Sequence, residues 1–163
     1  MIFEEWYEEH VDSIYKYIFL IVKDAPLAED LTQETFLKAF IKQHQFKGES
    51  AAKTWLYRIA YSTTMNHFRK KHPIPILFNF VIPTKNTETI FMEQEELNEL
   101  FLAISKLKMT YQQVIILNKI QQFSIKETAS ILGWSEGKVK MQLSRGLKAL
   151  QKIYVESEDY LYE

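Results

Sequence analysis

Ser124-Ile125-Lys126-Glu127-Thr128-Ala129-Ser130-Ile131-Leu132-Gly133-Trp134-Ser135 is the stretch that decides how this chain is read. It lays out a short helix, a glycine turn and the start of a second helix, the layout of a helix-turn-helix. Ser124 and Glu127 match the S/T-x-x-E/Q capping box, in which the first side chain accepts from a backbone N–H and the fourth reaches back. Ala129 is small where two helices must approach closely, and Gly133 can supply the positive φ that ends a helix. Ser135 caps the next helix, with Glu136 at the favourable end of its dipole. Ile125, Ile131, Leu132, Val139 and Leu143 would fill the angle between the helices, and Val139, Leu143, Leu147 and Leu150 make a buried stripe. The other face carries Lys138, Lys140, Met141, Ser144, Arg145 and Lys148. The exposed N-terminal half of a second helix of this kind enters the major groove, within reach of base edges and phosphates. A helical hairpin with a merely solvated basic face is the plain alternative; the caps, the turn glycine and the one-sided charge oppose it.

Upstream of this stretch, Thr110 with Gln113 offers another capping box, and helices are expected over 111–122, 125–132 and 136–154. A further helical series begins near Thr89, with Leu97, Leu100, Phe101 and Ile104 on its apolar face and a stop near Lys108–Met109. Between His72 and Thr89 the helical period is lost at Pro73, Pro75 and Pro83, the best linker candidate, although its apolar content suggests that it packs on something. Upstream, Phe3, Tyr7, Val11, Ile14, Ile18 and Ile21 form one stripe of a first helix ending near Lys23–Asp24. Pro26 suits the first turn of a second helix to about Gln43. After a loop at Phe46, Gly48, Glu49 and Ser50, a third helix, about Ala52 to Lys71, buries Trp55, Leu56, Ile59, Ala60 and Thr63. With four glycines, four prolines and no strand alternation, the expectation is an all-α chain of two small helical domains, 1–72 and 93–163, joined by a linker at 73–92.

Composition narrows the class. The 163 residues are 47% apolar and 25% charged, which suits a chain that folds in water. The longest apolar run, Tyr17 to Val22, is far shorter than a membrane span, and the acidic residues after Met1 contradict a basic targeting region, so a cytoplasmic protein is expected. There is no cysteine, which excludes disulfides, thiolate metal sites and a cysteine nucleophile. A net charge of −1 hides a segregation of sign. Residues 1–34 hold nine acidic and two basic residues, and residues 35–72 hold eight basic and one acidic. Residues 73–105 are net −4, residues 106–152 net +7 and the tail from 153 net −4. Two basic blocks suggest two contacts with a polyanion such as DNA, or two solvated helix faces.

In the second helix Asp30, Gln33, Glu34 and Leu37 share a face by i, i+3, i+4 and i+7 spacing. An acidic and amide face repels DNA, so it suits either a basic protein surface or solvent. In the third helix Arg58, Asn66, Arg69, Lys70 and Lys71 are interleaved with Tyr57, Tyr61 and His67. Rings among cations suit an opened strand, because bases stack on rings while cations track phosphates. A tyrosine there serves equally as core packing with its hydroxyl at the edge.

Asp30-Leu31-Thr32-Gln33-Glu34-Thr35-Phe36-Leu37-Lys38-Ala39, then Phe46-Lys47-Gly48 and Thr54-Trp55-Leu56-Tyr57-Arg58-Ile59-Ala60, resemble region 2 of the extracytoplasmic-function sigma factors, group 4 of the sigma-70 family. The helix-turn-helix with Gly137-Lys138-Val139-Lys140 resembles their region 4. The resemblance implies that 1–72 binds core RNA polymerase and recognises and melts the minus-ten element, and that 93–163 recognises the minus-thirty-five element. It places Asp30, Gln33, Glu34 and Leu37 on the coiled coil of the polymerase's largest subunit, with the flap region as a further polymerase contact. Lys47, Gly48, Glu49, Ser50, Ala51 and Ala52 would lie near a flipped minus-ten base, with Arg58, Asn66, Arg69 and Lys70 on the adjacent DNA. Ser135, Lys138, Lys140, Met141, Ser144, Arg145 and Lys148 would face the minus-thirty-five duplex. An anti-sigma factor, often membrane-anchored in this family, would be a further partner and would hold the chain at the inner face of the membrane. No cofactor, metal or small-molecule substrate is implied.

The chain departs from the family pattern at Ala52, where an aromatic residue is common, and at Ser62 and Asn66, where asparagine and aspartate are frequent. Met141-Gln142 replaces the usual serine-arginine, and Lys138 a common threonine. Promoter sequence therefore does not transfer. The competing readings are a one-component regulator with an N-terminal sensing or dimerising domain, and a helical adaptor without a DNA role. An enzyme is disfavoured, since His10, His44, His67 and His72 show no H-E-x-x-H spacing, and neither G-x-S-x-G nor a phosphate-binding glycine loop occurs.

Overall fold

A computed structural model describes residues 2–70 and 95–159, all helical apart from the turns between helices. The expected linker at 73–92, together with Lys71, lies outside the described residues. The chain divides into two compact units, one built on three helices and one on four.

In the first unit, α1 (Ile2–Val22), α2 (Ala25–Lys42) and α3 (Ala52–Lys70) pack against one another. The apolar run of α1 is buried on more than one side: Tyr17, Ile18, Phe19, Ile21 and Val22 all lie in the core, because α2 and α3 both cover this half of the helix. The expected stripe holds at Ile14, Ile18 and Ile21, whereas Tyr7 stays half exposed, its ring set edge-on to Phe36 of α2. Lys23 leaves the helix at φ 56, and Asp24 caps α2 by accepting from the Leu27 N–H at 3.1 Å. Threonines are buried in both α2 and α3. Buried Thr32, Thr35 and Thr64 each donate to the carbonyl four residues back, Ala28, Leu31 and Ala60, at 2.6, 2.7 and 2.8 Å. Their hydroxyls are thus satisfied inside an apolar interface.

In the second unit, α4 (Glu95–Ser105), α5 (Met109–Ile115), α6 (Ile125–Leu132) and α7 (Glu136–Asp159) bury Ile104, Val114, Ile115, Leu117, Phe123, Val139 and Leu143. The expected capping box at Thr110 does not form. α5 starts at Met109, with Lys108 in the cap position and no side chain bonded to it. Gln112 is buried, and its amide donates to the Leu107 carbonyl at 2.8 Å, so this bond closes the turn from α4 instead. Gln113, expected to reach back to a cap, is buried as well. α5 continues as a wider π turn over Ile116–Ile120, closed by Gln121 N–H to the Ile116 carbonyl at 2.8 Å. Gln122 then adopts φ 62, and the Asn118 amide donates to the Phe123 carbonyl. Gly146, which the sequence pattern does not single out, lets α7 lie directly on α5: a Cβ there would stand 3.1 Å from Tyr111 Cβ and 3.2 Å from Ile115 Cδ1.

Candidate nucleic-acid and polymerase interfaces

The first surface lies on α2. Asp30, Gln33, Glu34 and Leu37 are all exposed, and Leu37 shows 59% of its surface. Glu34 pairs with Lys38 at 2.8 Å. Two neighbours that sequence reasoning missed extend this face: Phe40 is half exposed and Ile41 is 61% exposed. The signal is present, since both recur three and four residues after Leu37, but apolar residues at that spacing ordinarily mark a core face. An uncovered apolar strip beside carboxylates is the make-up of a protein-binding surface rather than a DNA-binding one.

The next surface is the loop between α2 and α3. A single turn, Gln43–Gln45, leads into Phe46, whose ring meets Trp6 at 5.0 Å and Trp55 at 5.5 Å; Trp6 and Trp55 stand 5.8 Å apart. This three-ring clamp holds both ends of the candidate loop against α1. Between them Lys47, Gly48, Glu49 and Ala51 are exposed, while Ser50 and Ala52 are half-buried. Gly48 stands at φ 75, and a Cβ at this position would meet nothing within 4 Å, so it is the backbone angle that calls for glycine.

On α3, Arg58, Arg69 and Lys70 are exposed and Asn66 is half-buried. Arg58, Ser62, Asn66 and Arg69 follow one helical face. Across from them α2 contributes Lys38 and Lys42, so that a groove of about 300 Å³ forms within this unit, with Gln45, Trp55, Ile59 and Thr63 in its walls. The Lys38 ammonium lies 3.4 Å from the Thr63 hydroxyl. Lys38 and Lys42 were not among the sequence candidates, because nothing local pairs them with residues some twenty positions later. A groove with three cations and an indole in its walls can hold a phosphodiester backbone with an unstacked base.

Tyr57 does not belong to that surface. It is fully buried, its ring centre is 5.4 Å from that of Tyr17, and burial pushes its phenol up to about 12, against an opposing hydrogen bond with Ser13. Of the two readings left open for it, core packing is the one that holds. Tyr61 is half-buried; burial raises its pKa, partly offset by the charge of Arg69.

In the second unit the helix-turn-helix is built as its sequence spells. Ser124 and Glu127 exchange reciprocal bonds at 3.0 Å, Gly133 takes φ 68, and the Ser135 hydroxyl accepts from the Lys138 N–H at 3.1 Å. Val139 and Leu143 are buried and Leu147 half-buried. On the opposite face Ser135, Lys138, Lys140, Met141, Ser144, Arg145 and Lys148 are all exposed. The structure thus brings these seven onto one accessible side of α7.

Comparison with known proteins bears on the family and the fold. The family model for sigma-70 region 2 matches residues 6–73, and that for sigma-70 region 4 matches residues 97–150. The chain is 35% identical over 159 residues to the ECF RNA polymerase sigma factor SigX of Bacillus subtilis, covering 92% of this chain and 82% of that protein. It is 33% identical to the RNA polymerase sigma factor YlaC of the same organism, covering 96% and 94%. Among solved structures, the sigma factor RpoE in complex with the anti-sigma factor NepR from Bartonella quintana superposes with a TM-score of 0.77 at 24% identity, covering 93% of this chain and 96% of that one. That likeness shows a shared fold.

Proposed function

The chain belongs to the extracytoplasmic-function sigma factors of the sigma-70 family, and from that premise we propose how its surfaces divide the work of promoter-specific transcription initiation. Residues 1–72 bind core polymerase and open the minus-ten element; residues 93–163 read the minus-thirty-five duplex. Asp30, Gln33, Glu34 and Leu37, extended by Phe40 and Ile41, form the face that meets the largest subunit's coiled coil. The flap region is the polymerase partner of the second unit. The loop 47–52 takes the flipped base, and the groove between α2 and α3 carries the strand that follows it, with Lys38, Lys42, Arg58 and Asn66 at its walls and Arg69 and Lys70 beyond. The exposed side of α7 enters the major groove. The polymerase performs all the chemistry.

The observation that carries this reading is that α2 presents a carboxylate and apolar face on one side and two groove-lining lysines on the next. One helix therefore serves a protein and a nucleic acid at once, which a one-component regulator does not require. Control by an anti-sigma factor belongs to the same proposal. Among the described residues no helix is long and apolar enough to cross a membrane, so in a cytoplasmic setting any tether at the membrane's inner face would come from such a partner.

Transcription reconstituted with core polymerase over a promoter library tests the whole reading: specific start sites should appear, and initiation no better than core alone would overturn it. Charge reversal by Asp30→Lys and Glu34→Lys should weaken core binding at least tenfold while the full chain keeps its affinity for duplex DNA. Because Glu34→Lys also releases Lys38, Glu34→Gln serves as the control. Unchanged core affinity in the reversed variant would remove the interface assignment.

A further inference from the structure

Lys138 is held in a way that none of the other cations on its face shares. Its ammonium lies 4.2 Å from the centre of the Trp134 ring, four residues back in the turn of the helix-turn-helix. Its backbone N–H is fixed by the Ser135 cap. Lys140, Arg145 and Lys148 have no such ring beneath them among the described residues.

Position makes this arrangement informative. Residue 138 lies in the first turn of α7, where the helix dipole disfavours a cation and would welcome a carboxylate. Glu136 is close in sequence, yet it forms no ion pair with Lys138 among the described residues. An ion pair would steady the ammonium by neutralising it. An aromatic face steadies it and leaves the whole charge available to a second partner. Holding the side chain beforehand also lowers the entropy lost when that partner arrives.

We propose that Trp134 is a positioning residue for promoter binding: its indole face holds the charged Lys138 ammonium at the entrance of the recognition helix, aimed at one phosphate of the duplex. This rests on the reading of α7 as the duplex-reading helix. Trp134 itself reads no base, and it acts through Lys138.

The test uses the full chain assembled with core polymerase, and a duplex taken from a promoter that the unaltered holoenzyme selects from a randomised library. Affinity is measured against salt concentration. Lys138→Met should weaken binding and reduce the salt slope by about one, the signature of one lost phosphate contact. Trp134→Leu should weaken binding about two- to fivefold with little change of slope, and Trp134→Tyr should restore most of the loss. In the Lys138→Met background Trp134→Leu should add nothing. Equal losses in both backgrounds would overturn the proposal, since the ring would then act on its own or only through folding. If Lys138→Met changes neither affinity nor slope while Lys140→Met or Arg145→Met does, the proposal fails with the duplex reading intact. If none of the three changes the slope, that reading fails as well. A measurement independent of substitution is the ring-current shift of the Lys138 ε-methylene protons; its absence from the unaltered protein would dispose of the contact.

Discussion

At the scale of single residues, three positions sit against their local chemistry, and each makes a measurable difference. Gln122 holds a left-handed angle with its side chain exposed, so nothing but backbone strain distinguishes it from glycine. Gln122→Gly is expected to raise stability by roughly 0.5–1 kcal/mol, read from thermal unfolding. Thr128 is fully buried, and its hydroxyl has no hydrogen-bond partner among the described residues. Thr128→Val keeps the shape and removes the orphaned oxygen, which should stabilise by about 1 kcal/mol in a denaturant titration. His10 is buried; desolvation pulls its pKa below the ordinary 6.5, Glu9 pulls it up, and Lys53 pulls it down again. The folded chain therefore binds this proton less readily than the unfolded one. The stability that results is fully present above pH 6.5 and is lost as the pH falls toward the folded value. Unfolding midpoints at pH 7.5 and pH 5 should differ less in His10→Gln than in the unaltered chain. These three positions also mark where local pattern stops being informative. Ser124 and Glu127 could be read directly because a capping box is a contact between near neighbours. Thr110 and Gln113 spell the same box, yet burial of both glutamines overrides it.

At the scale of elements, periodicity located the helices well because each buries a continuous face, and α6 keeps the bounds expected for it. It left a residue open where a helix is covered from two sides. Tyr57 lies between the buried Leu56 and the exposed Arg58, and only the approach of Tyr17 from α1 decides which of them it joins. The groove and the ring clamp were illegible for a related reason, since each joins residues from separate helices. The clamp carries an expectation of its own. Trp6→Ala removes the ring that both Phe46 and Trp55 lean on, and should destabilise the first unit by about 3 kcal/mol. Promoter opening, followed by permanganate reactivity of the melted thymines, should slow several-fold while core affinity changes little. Trp6→Phe should recover most of the opening rate.

At the scale of the whole molecule, alternating charge blocks were plain in the sequence; the exposed lysines and arginine of α7 account for most of the second positive one, and α2, the loop after it and α3 share the first. Two units on one chain also gain from being joined, since a short tether supplies each to the other at an effective concentration near millimolar. Residues 1–72 and 93–163 supplied as separate polypeptides should together restore specific initiation only weakly at micromolar concentrations, in an abortive-transcript assay. A further consequence follows from Lys38, which pairs with Glu34 on one side and approaches Thr63 on the other. Successive residues of an α-helix are about 100° apart around its axis. One alanine inserted between Glu34 and Lys38 would leave every side chain chemically intact while turning the groove lysines through that angle relative to the carboxylates. On the proposed assignment α2 is a keyed shaft: the polymerase would grip one flat and the strand would rest against another, and evolution could change either surface by substitution but not the phase between them.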